Sequence, residues 1–173
     1  MGGGCMGPRD RSARPLYTPA ERERRDASPW TLIQGVLAPL QFAIFLVSLI
    51  LVLRALTTGQ GLFAAEASVV LKTLALYAIM ITGSIWEKVV FGRWLFAPAF
   101  FWEDVVSMLV LALHTAYLAA LATQAIDGRT LLLLALAAYA SYVVNAGQFV
   151  LKLRAARLEG GNRRTPRLAE ALS

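Results

Sequence analysis

Four long apolar blocks with few charged residues constrain the fold of this chain more than any other feature. They run from about Thr31 to Leu53, Ala67 to Trp86, Val105 to Ala125 and Thr130 to Leu151. Because a helix rises 1.5 Å per residue, each block can cross roughly 30 Å of hydrocarbon. The 173 residues are 57% hydrophobic and 16% charged, which is too apolar for an ordinary soluble domain. We therefore predict an all-α, polytopic membrane protein with four transmembrane helices in an antiparallel bundle.

The basic residues predict which side of the membrane the ends occupy. Of the 17 Lys and Arg, six precede the first block and six close or follow the last. The connection between the second and third blocks holds Lys88 and Arg93, and the other two connections hold little more than Arg54 and Arg129. The positive-inside rule then places both termini and the central connection in the cytoplasm. Topology accounts for the net charge of +6, so the charge does not indicate a nucleic-acid partner.

Composition divides the chain into three parts. Residues 1–27 are rich in Gly, Pro, Arg and Glu and cannot bury enough apolar surface to fold alone, so we predict a mostly disordered basic arm. Residues 28–155 form the predicted four-helix transmembrane domain, and residues 156–173 a disordered basic tail. The single cysteine, Cys5, implies neither a disulfide framework nor a cysteine metal site.

Polar residues inside the blocks predict which faces turn inward, since lipid offers them no partners. In the third block Glu103, Ser107, His114 and Tyr117 fall on one helical face. The other blocks carry similar stripes: Gln34, Gln41 and Ser48; Thr73, Tyr77, Ser84 and Glu87; and Ser141, Asn145, Gln148 and Lys152. The stripes are most polar near the predicted cytoplasmic side, which predicts a cavity that opens towards that leaflet.

Three acids in or beside the central connection are the candidates for acid and base chemistry. Glu87, Glu103 and Asp104 lie among several Trp and Phe residues. A carboxyl group desolvated by these rings, with another carboxylate nearby, could hold a proton and deliver it, while a better solvated acid orients a water. The alternative is that these acids pair with Lys88, Arg93 or Lys152 and only end the helices. The spacing supports both interpretations equally.

His114, the only histidine, lies at membrane depth, where an ionisable residue is a functional candidate. It could ligate the metal of a bound macrocycle, or it could be a neutral imidazole bonded to Tyr77 or Asn145. Without a second histidine, a metal held by the protein alone is not expected. Lys72, in the first turns of the second block, is expected to extend to the outer surface.

Aromatic residues crowd the central connection and have two explanations. They are Trp86, Phe91, Trp94, Phe96, Phe100, Phe101 and Trp102. They form either an interfacial aromatic belt or a slot for a flat amphiphilic ligand. No nucleotide-binding motif, CxxC pair or nucleophile elbow is present in the sequence.

The strings WEKVVFG and FAPAFFWEDV, beginning at Trp86 and Phe96, are long and unusual. Together with the surrounding residues from Leu16 to Leu158, they closely resemble the vinyl bacteriochlorophyllide hydratase family of anoxygenic phototrophs. The resemblance implies a hydro-lyase of bacteriochlorophyll biosynthesis in the bacterial inner membrane. It would hydrate the 3-vinyl group of chlorophyllide a to a 3-(1-hydroxyethyl) group without a cofactor. Membrane lipid and other enzymes of the pathway are the further candidate partners.

The residue roles for this reaction come from the physical argument and not from the resemblance. Glu87 or Glu103 is the candidate acid, and the other, or Asp104, orients the water. His114 is assigned to the substrate magnesium or a macrocycle substituent. Further candidate substrate-binding residues are Lys88 and Arg93 for the propionate, and Trp86, Trp102, Tyr77, Asn145 and Gln148. The alternative function is a tetrapyrrole-binding or photosystem assembly protein without catalysis.

Overall fold

The computed structural model describes residues 16–162, with side chains as far as Ala155. Its helices are α1 (Pro19–Ala27), α2 (Pro29–Thr58), α3 (Leu62–Phe91), α4 (Phe101–Thr123) and α5 (Gly128–Asn162). Within this part of the chain there is no β-strand. The helices α2, α3 and α4, and α5 as far as Ala155, are long and apolar enough to cross a membrane. The predicted all-α, four-span membrane fold is confirmed, while the cytoplasmic position of the termini stays a prediction.

Local signals in the sequence set the ends of the spans. Ser28 accepts a hydrogen bond from the Trp30 amide at 3.3 Å, and Pro29 occupies the first helical turn of α2. Gly59 ends α2 with φ 70°, and Gly92 ends α3 with φ 77°. Glycine adopts this left-handed conformation without a steric penalty. Its amide then donates a hydrogen bond to a carbonyl of the last helical turn, which ends the helix.

The helix α1 lies within the segment that composition predicts to be mostly disordered. A capping box starts it: the Glu21 amide donates to Thr18 Oγ1 at 3.3 Å, and the Thr18 amide donates to Glu21 Oε2 at 2.7 Å. Arg24 Nε then donates to the Val90 carbonyl at 2.8 Å, and the buried Tyr17 ring stacks on Phe91. These contacts hold α1 against the end of α3. They depend on individual residues, so the average composition of the segment does not predict them.

The two predicted tails lie largely outside the described residues. Residues 1–15 and 163–173 fall there, so the predicted disorder of these segments stays a prediction. Helix α5 continues to Asn162, beyond the position 155 at which the sequence interpretation ends the membrane domain. Hydropathy marks only the part of a helix that suits lipid, and a helix can extend past it into the polar phase.

The four long helices pack as two hairpins, and the helices within each hairpin pack more closely than α3 and α4 do. Helix α2 packs along α3, and α4 packs along α5, while α2 and α5 join the two hairpins. By contrast α3 and α4 pack less closely against each other. The apolar core includes Phe45, Val52, Val69, Leu76 and Val110. Because the helices alternate in direction, α1 and the connection 92–100 lie at the same end of the bundle, called the loop end below.

Candidate active site

The connection between α3 and α4 turns two backbone amides towards the bundle interior. Phe96 has φ 58°, a conformation that is uncommon for a residue with a side chain. Its amide donates to Asp104 Oδ2 at 2.7 Å, and the next amide, that of Ala97, donates to Glu87 Oε2 at 3.3 Å. Ala97 and Phe100 are buried beneath the connection. The connection is therefore held in its shape by the two acids on the helices that it joins.

Glu87 and Asp104 form a pair of carboxyl groups. They accept hydrogen bonds from the consecutive amides of Phe96 and Ala97, and the two residues are only 5% and 4% exposed. Two negative charges this close in a water-poor site would repel one another strongly, and a proton on one acid relieves that repulsion. The two acids, called the carboxyl pair below, are therefore suited to share one proton.

Glu103 has a different environment from the carboxyl pair. Its Oε2 lies 2.6 Å from Lys152 Nζ, and this ion pair joins α4 to α5. The Lys152 ammonium also lies 5.0 Å from the centre of the Phe100 ring. The contact between an acid and Lys152 that the sequence alternative predicts is present for Glu103, while that alternative's further claim, that the acids only end the helices, is untested. Glu103 is therefore held by a cation on α5.

Two amide oxygens beside the Glu103–Lys152 ion pair have no hydrogen-bond partner among the described residues. They are Asn145 Oδ1 and Gln148 Oε1, and both atoms are buried. The other end of Asn145 donates to Ser107 Oγ at 2.8 Å. Because Asn145, Gln148 and Lys152 follow one another at spacings of three and four on α5, they share a face. Buried polar atoms of this kind are usually satisfied by water, so both oxygens can accept a hydrogen bond from a water molecule.

His114 lies deeper in the bundle and has its own partners. Its Nε2 lies 2.7 Å from Lys72 Nζ, and its Nδ1 lies 2.8 Å from the Val110 carbonyl. The Val110 carbonyl can only accept, so Nδ1 carries the hydrogen and Nε2 accepts from Lys72. The Lys72 nitrogen also sits 4.1 Å from the centre of the Tyr142 ring. The predicted partners of His114, Tyr77 and Asn145, are wrong.

The expected position of Lys72 is also wrong. Its side chain is fully buried instead of extending to the outer surface. Lys72 shares a helical face with Val69 and Leu76, both of which are in the core, so its stem points inward. That spacing was visible in the sequence, and a lysine between two core positions was the signal that the sequence interpretation missed.

The remaining candidate residues lie around the carboxyl pair or away from it. Trp86 is half-buried, donates from Nε1 to Thr31 Oγ1 at 2.9 Å and meets the Phe100 ring edge-on. Lys88, which donates to the Gly92 carbonyl at 3.1 Å, and Arg93 are exposed at the loop end. Trp102 is exposed too, at 70%. Of the predicted site residues, the structure thus brings together the three acids with Asn145, Gln148 and Trp86, but not His114 or Trp102.

Tyr77 lines a groove between α3 and α4. The groove has a volume of about 340 Å³, and its other lining residues are Met80, Ile81, Leu111 and Thr115. The Tyr77 hydroxyl and Thr115 Oγ1 are 2.8 Å apart and link the two walls. The groove lies between two helices that pack less closely than the members of either hairpin.

Comparison with known proteins assigns a family to this arrangement. Residues 17–155 match the family model described as 2-vinyl bacteriochlorophyllide hydratase. A 2-vinyl bacteriochlorophyllide hydratase of Rhodobacter capsulatus is 62% identical over 155 residues, covering 90% of each chain. One of Cereibacter sphaeroides is 64% identical over 146 residues, covering 84% of this chain and 91% of the relative. No solved structure matches. The chain belongs to the 2-vinyl bacteriochlorophyllide hydratase family.

Proposed function

We propose that this chain adds water across the vinyl group of chlorophyllide a and so forms a 1-hydroxyethyl group during bacteriochlorophyll biosynthesis. Membership of the family supports hydration of a vinyl bacteriochlorophyllide. The choice of chlorophyllide a and the residue roles below go beyond that membership. The observation that carries the mechanism is the buried carboxyl pair, which lies where the two hairpins meet and to which we assign one shared proton.

The first step is delivery of the proton from the carboxyl pair to the terminal vinyl carbon. The vinyl π electrons form the new C–H bond, which leaves a cation on the inner carbon in conjugation with the macrocycle. The carboxyl pair is left without its proton and carries one more negative charge beside that cation. The buried position strengthens this attraction, since few water molecules screen it.

The second step is attack of a water oxygen on the inner carbon. We assign the water to Asn145 Oδ1 and Gln148 Oε1, the two buried acceptors beside Glu103. As the C–O bond forms, the water loses a proton, which returns to the carboxyl pair directly or through Glu103. The substrate has then gained one water, and the protein has recovered its initial protonation state.

Substrate binding is assigned to cations and aromatic rings at the loop end. Lys88 and Arg93 are exposed there and carry the charge that the propionate carboxylate of the substrate needs. Trp86 is close enough to the buried Phe100 ring to form one wall of the site. His114 has no role in this mechanism, because both of its ring nitrogens already have partners.

The same proposal sets the location of the protein. The four apolar helices make it a membrane protein, and the distribution of Lys and Arg favours a loop end that faces the cytoplasm. We propose the bacterial inner membrane, with the carboxyl pair near its cytoplasmic surface. Enzymes that supply chlorophyllide or oxidise the hydroxyethyl product are the proposed neighbours.

Isotope labelling tests this function directly. Membranes containing the chain, and matched membranes without it, are incubated with chlorophyllide a in H₂¹⁸O or in D₂O. The product should be heavier by one water, carry ¹⁸O on the inner carbon and carry one deuterium on the new methyl group. Bound pigment with an unchanged mass would exclude the hydratase function and leave the non-catalytic alternative. Label on the opposite carbons would exclude protonation of the terminal carbon followed by attack of water on the inner one.

A further inference from the structure

The groove between α3 and α4 lies on the helical faces that lead to the carboxyl pair. Its nearest lining residues, Ile81 and Leu111, are six and seven residues from Glu87 and Asp104, or about 9–10 Å along the helices. On α4, Asp104, Leu111 and Thr115 follow one another at spacings of seven and four, so they share one helical face. On α3, Glu87 follows Met80 by seven residues and lies on nearly the same side of the helix. The stripe that lines the groove on each helix therefore continues to one acid of the carboxyl pair.

Polar contacts between α3 and α4 define the two ends of this space. At one end the Tyr77 hydroxyl and Thr115 Oγ1 are 2.8 Å apart, and at the other Glu87 and Asp104 meet beneath the connection, where they accept from the amides of Ala97 and Phe96. From Asp104 to Thr115 there are eleven residues, or roughly 16 Å at the rise of an α-helix. Between the two ends lie the apolar side chains of Met80, Ile81 and Leu111 and the groove volume of about 340 Å³. This volume falls within the roughly 300–1,000 Å³ of small-molecule sites.

We propose that this groove is the docking site through which the tetrapyrrole macrocycle enters from the lipid phase. The ring stands edge-on between α3 and α4, with its vinyl-bearing edge towards the carboxyl pair. This inference rests on the proposed function, because it takes the vinyl tetrapyrrole as the occupant. It adds the route of entry and the residues that hold the ring, neither of which follows from the family.

The chemistry of the groove fits a flat amphiphile better than a lipid chain. Its walls are largely apolar, as a macrocycle face requires, because the Tyr77 and Thr115 hydroxyls that line it are hydrogen-bonded to each other. Lys88 lies on the same face of α3 as Tyr77 and Ile81 and places an exposed ammonium at the loop end, where a propionate can reach it. A simple acyl chain would leave this ammonium unused.

The weak contact between α3 and α4 allows such entry. The ring can separate the two helices without opening either of the closely packed hairpins, α2 with α3 or α4 with α5. The groove is a lateral space between the helices, whereas the cavity that the sequence predicts opens at the membrane surface and stays a prediction.

A matched pair of tryptophan variants tests the docking site. Leu111→Trp fills the groove, whereas Leu109→Trp places the same bulk two residues away on α4, at a side chain that is 53% exposed on another face of the helix. Both proteins are purified in lipid nanodiscs, and the binding of chlorophyllide a is measured by its fluorescence. We expect Leu111→Trp to weaken binding at least about tenfold, a change of about 1.4 kcal/mol, and Leu109→Trp to bind as the native chain does.

A photo-crosslinking residue at the same two positions keeps the test valid if Leu111→Trp fails to fold. Benzoylphenylalanine at position 111 should form a pigment adduct on illumination, and at position 109 it should not. Equal adducts at both positions, or native binding by folded Leu111→Trp, would overturn the docking site even if the native chain hydrates chlorophyllide. A pigment adduct at position 111 in a protein that never adds water would retain the docking site and reject the proposed function.

Discussion

Glu87→Gln separates the chemical role of the carboxyl pair from its structural role. Glutamine keeps the shape of the side chain, so its oxygen can accept from the Ala97 amide and its NH₂ group can donate to Asp104. What the variant loses is the acidic proton that the pair shares. The two hydrogen bonds survive, and the free energy of unfolding should change by less than about 1 kcal/mol.

The expected loss of activity follows from the role of a general acid. Positioned proton transfer typically contributes about 10²–10⁴ in rate, which corresponds to about 3–5 kcal/mol of transition-state stabilisation. We therefore expect kcat for hydration to fall by that factor while the affinity for chlorophyllide changes little. The assay is the rate of formation of the product heavier by one water, at saturating substrate, with pigment binding measured on the same preparation.

Glu87→Ala is the matched control for structure. It leaves the Ala97 amide and the Asp104 carboxyl without their partner at a buried position. Each unsatisfied buried group costs about 1–3 kcal/mol, so this variant should lose stability as well as activity. Hydration by Glu87→Gln within threefold of the native rate would refute the assignment of the proton to the carboxyl pair. Equal destabilisation of both variants would show that the Gln side chain does not keep the hydrogen bonds.

Two further predictions concern the other buried contacts. Lys72→Met and His114→Leu should each lower the free energy of unfolding by about 1–3 kcal/mol, because each leaves a buried polar atom without its partner. The double variant should cost less than the sum, and additive costs in a detergent unfolding series would contradict direct contact between the two side chains. Lys152→Met removes the cation that holds Glu103 and should lower hydration by at least about tenfold, or about 1.4 kcal/mol. Combining Glu103→Gln with Lys152→Met removes both charges. The double variant should regain the stability of the native chain but not its rate of hydration. Recovery of the full rate would show that Glu103 is not needed.

The fold followed from features that act locally. The long apolar blocks alone place the four spanning helices to within about five residues at each end, except for the end of α5, which continues eleven residues past Leu151. Helix α1 was not predicted, because its stability depends on a two-residue capping box and on contacts with α3. The composition of the whole arm is an average, and it shows neither the capping box nor the contacts with α3.

The site was predicted only in part, for a related reason. Sequence spacing identifies residues on one face of one helix, so it could single out Glu87, Glu103 and Asp104 as a group. It could not decide which two acids accept from the connection between α3 and α4 and which one pairs with Lys152, since that depends on how α3, α4 and α5 are rotated. The same limit explains Lys72, whose partner lies on another helix.

The closer packing within each hairpin also predicts the order in which the parts of the protein assemble in the membrane. Each hairpin, α2 with α3 and α4 with α5, can satisfy most of its contacts as soon as its two spans have left the insertion machinery. The carboxyl pair and the Tyr77–Thr115 contact form only when the second hairpin docks on the first, because each has one member on α3 and one on α4. We therefore expect the catalytic apparatus to be the last part of the protein to mature. Two separately synthesised halves, divided in the connection 92–100, would have to meet in the membrane before either could act on pigment.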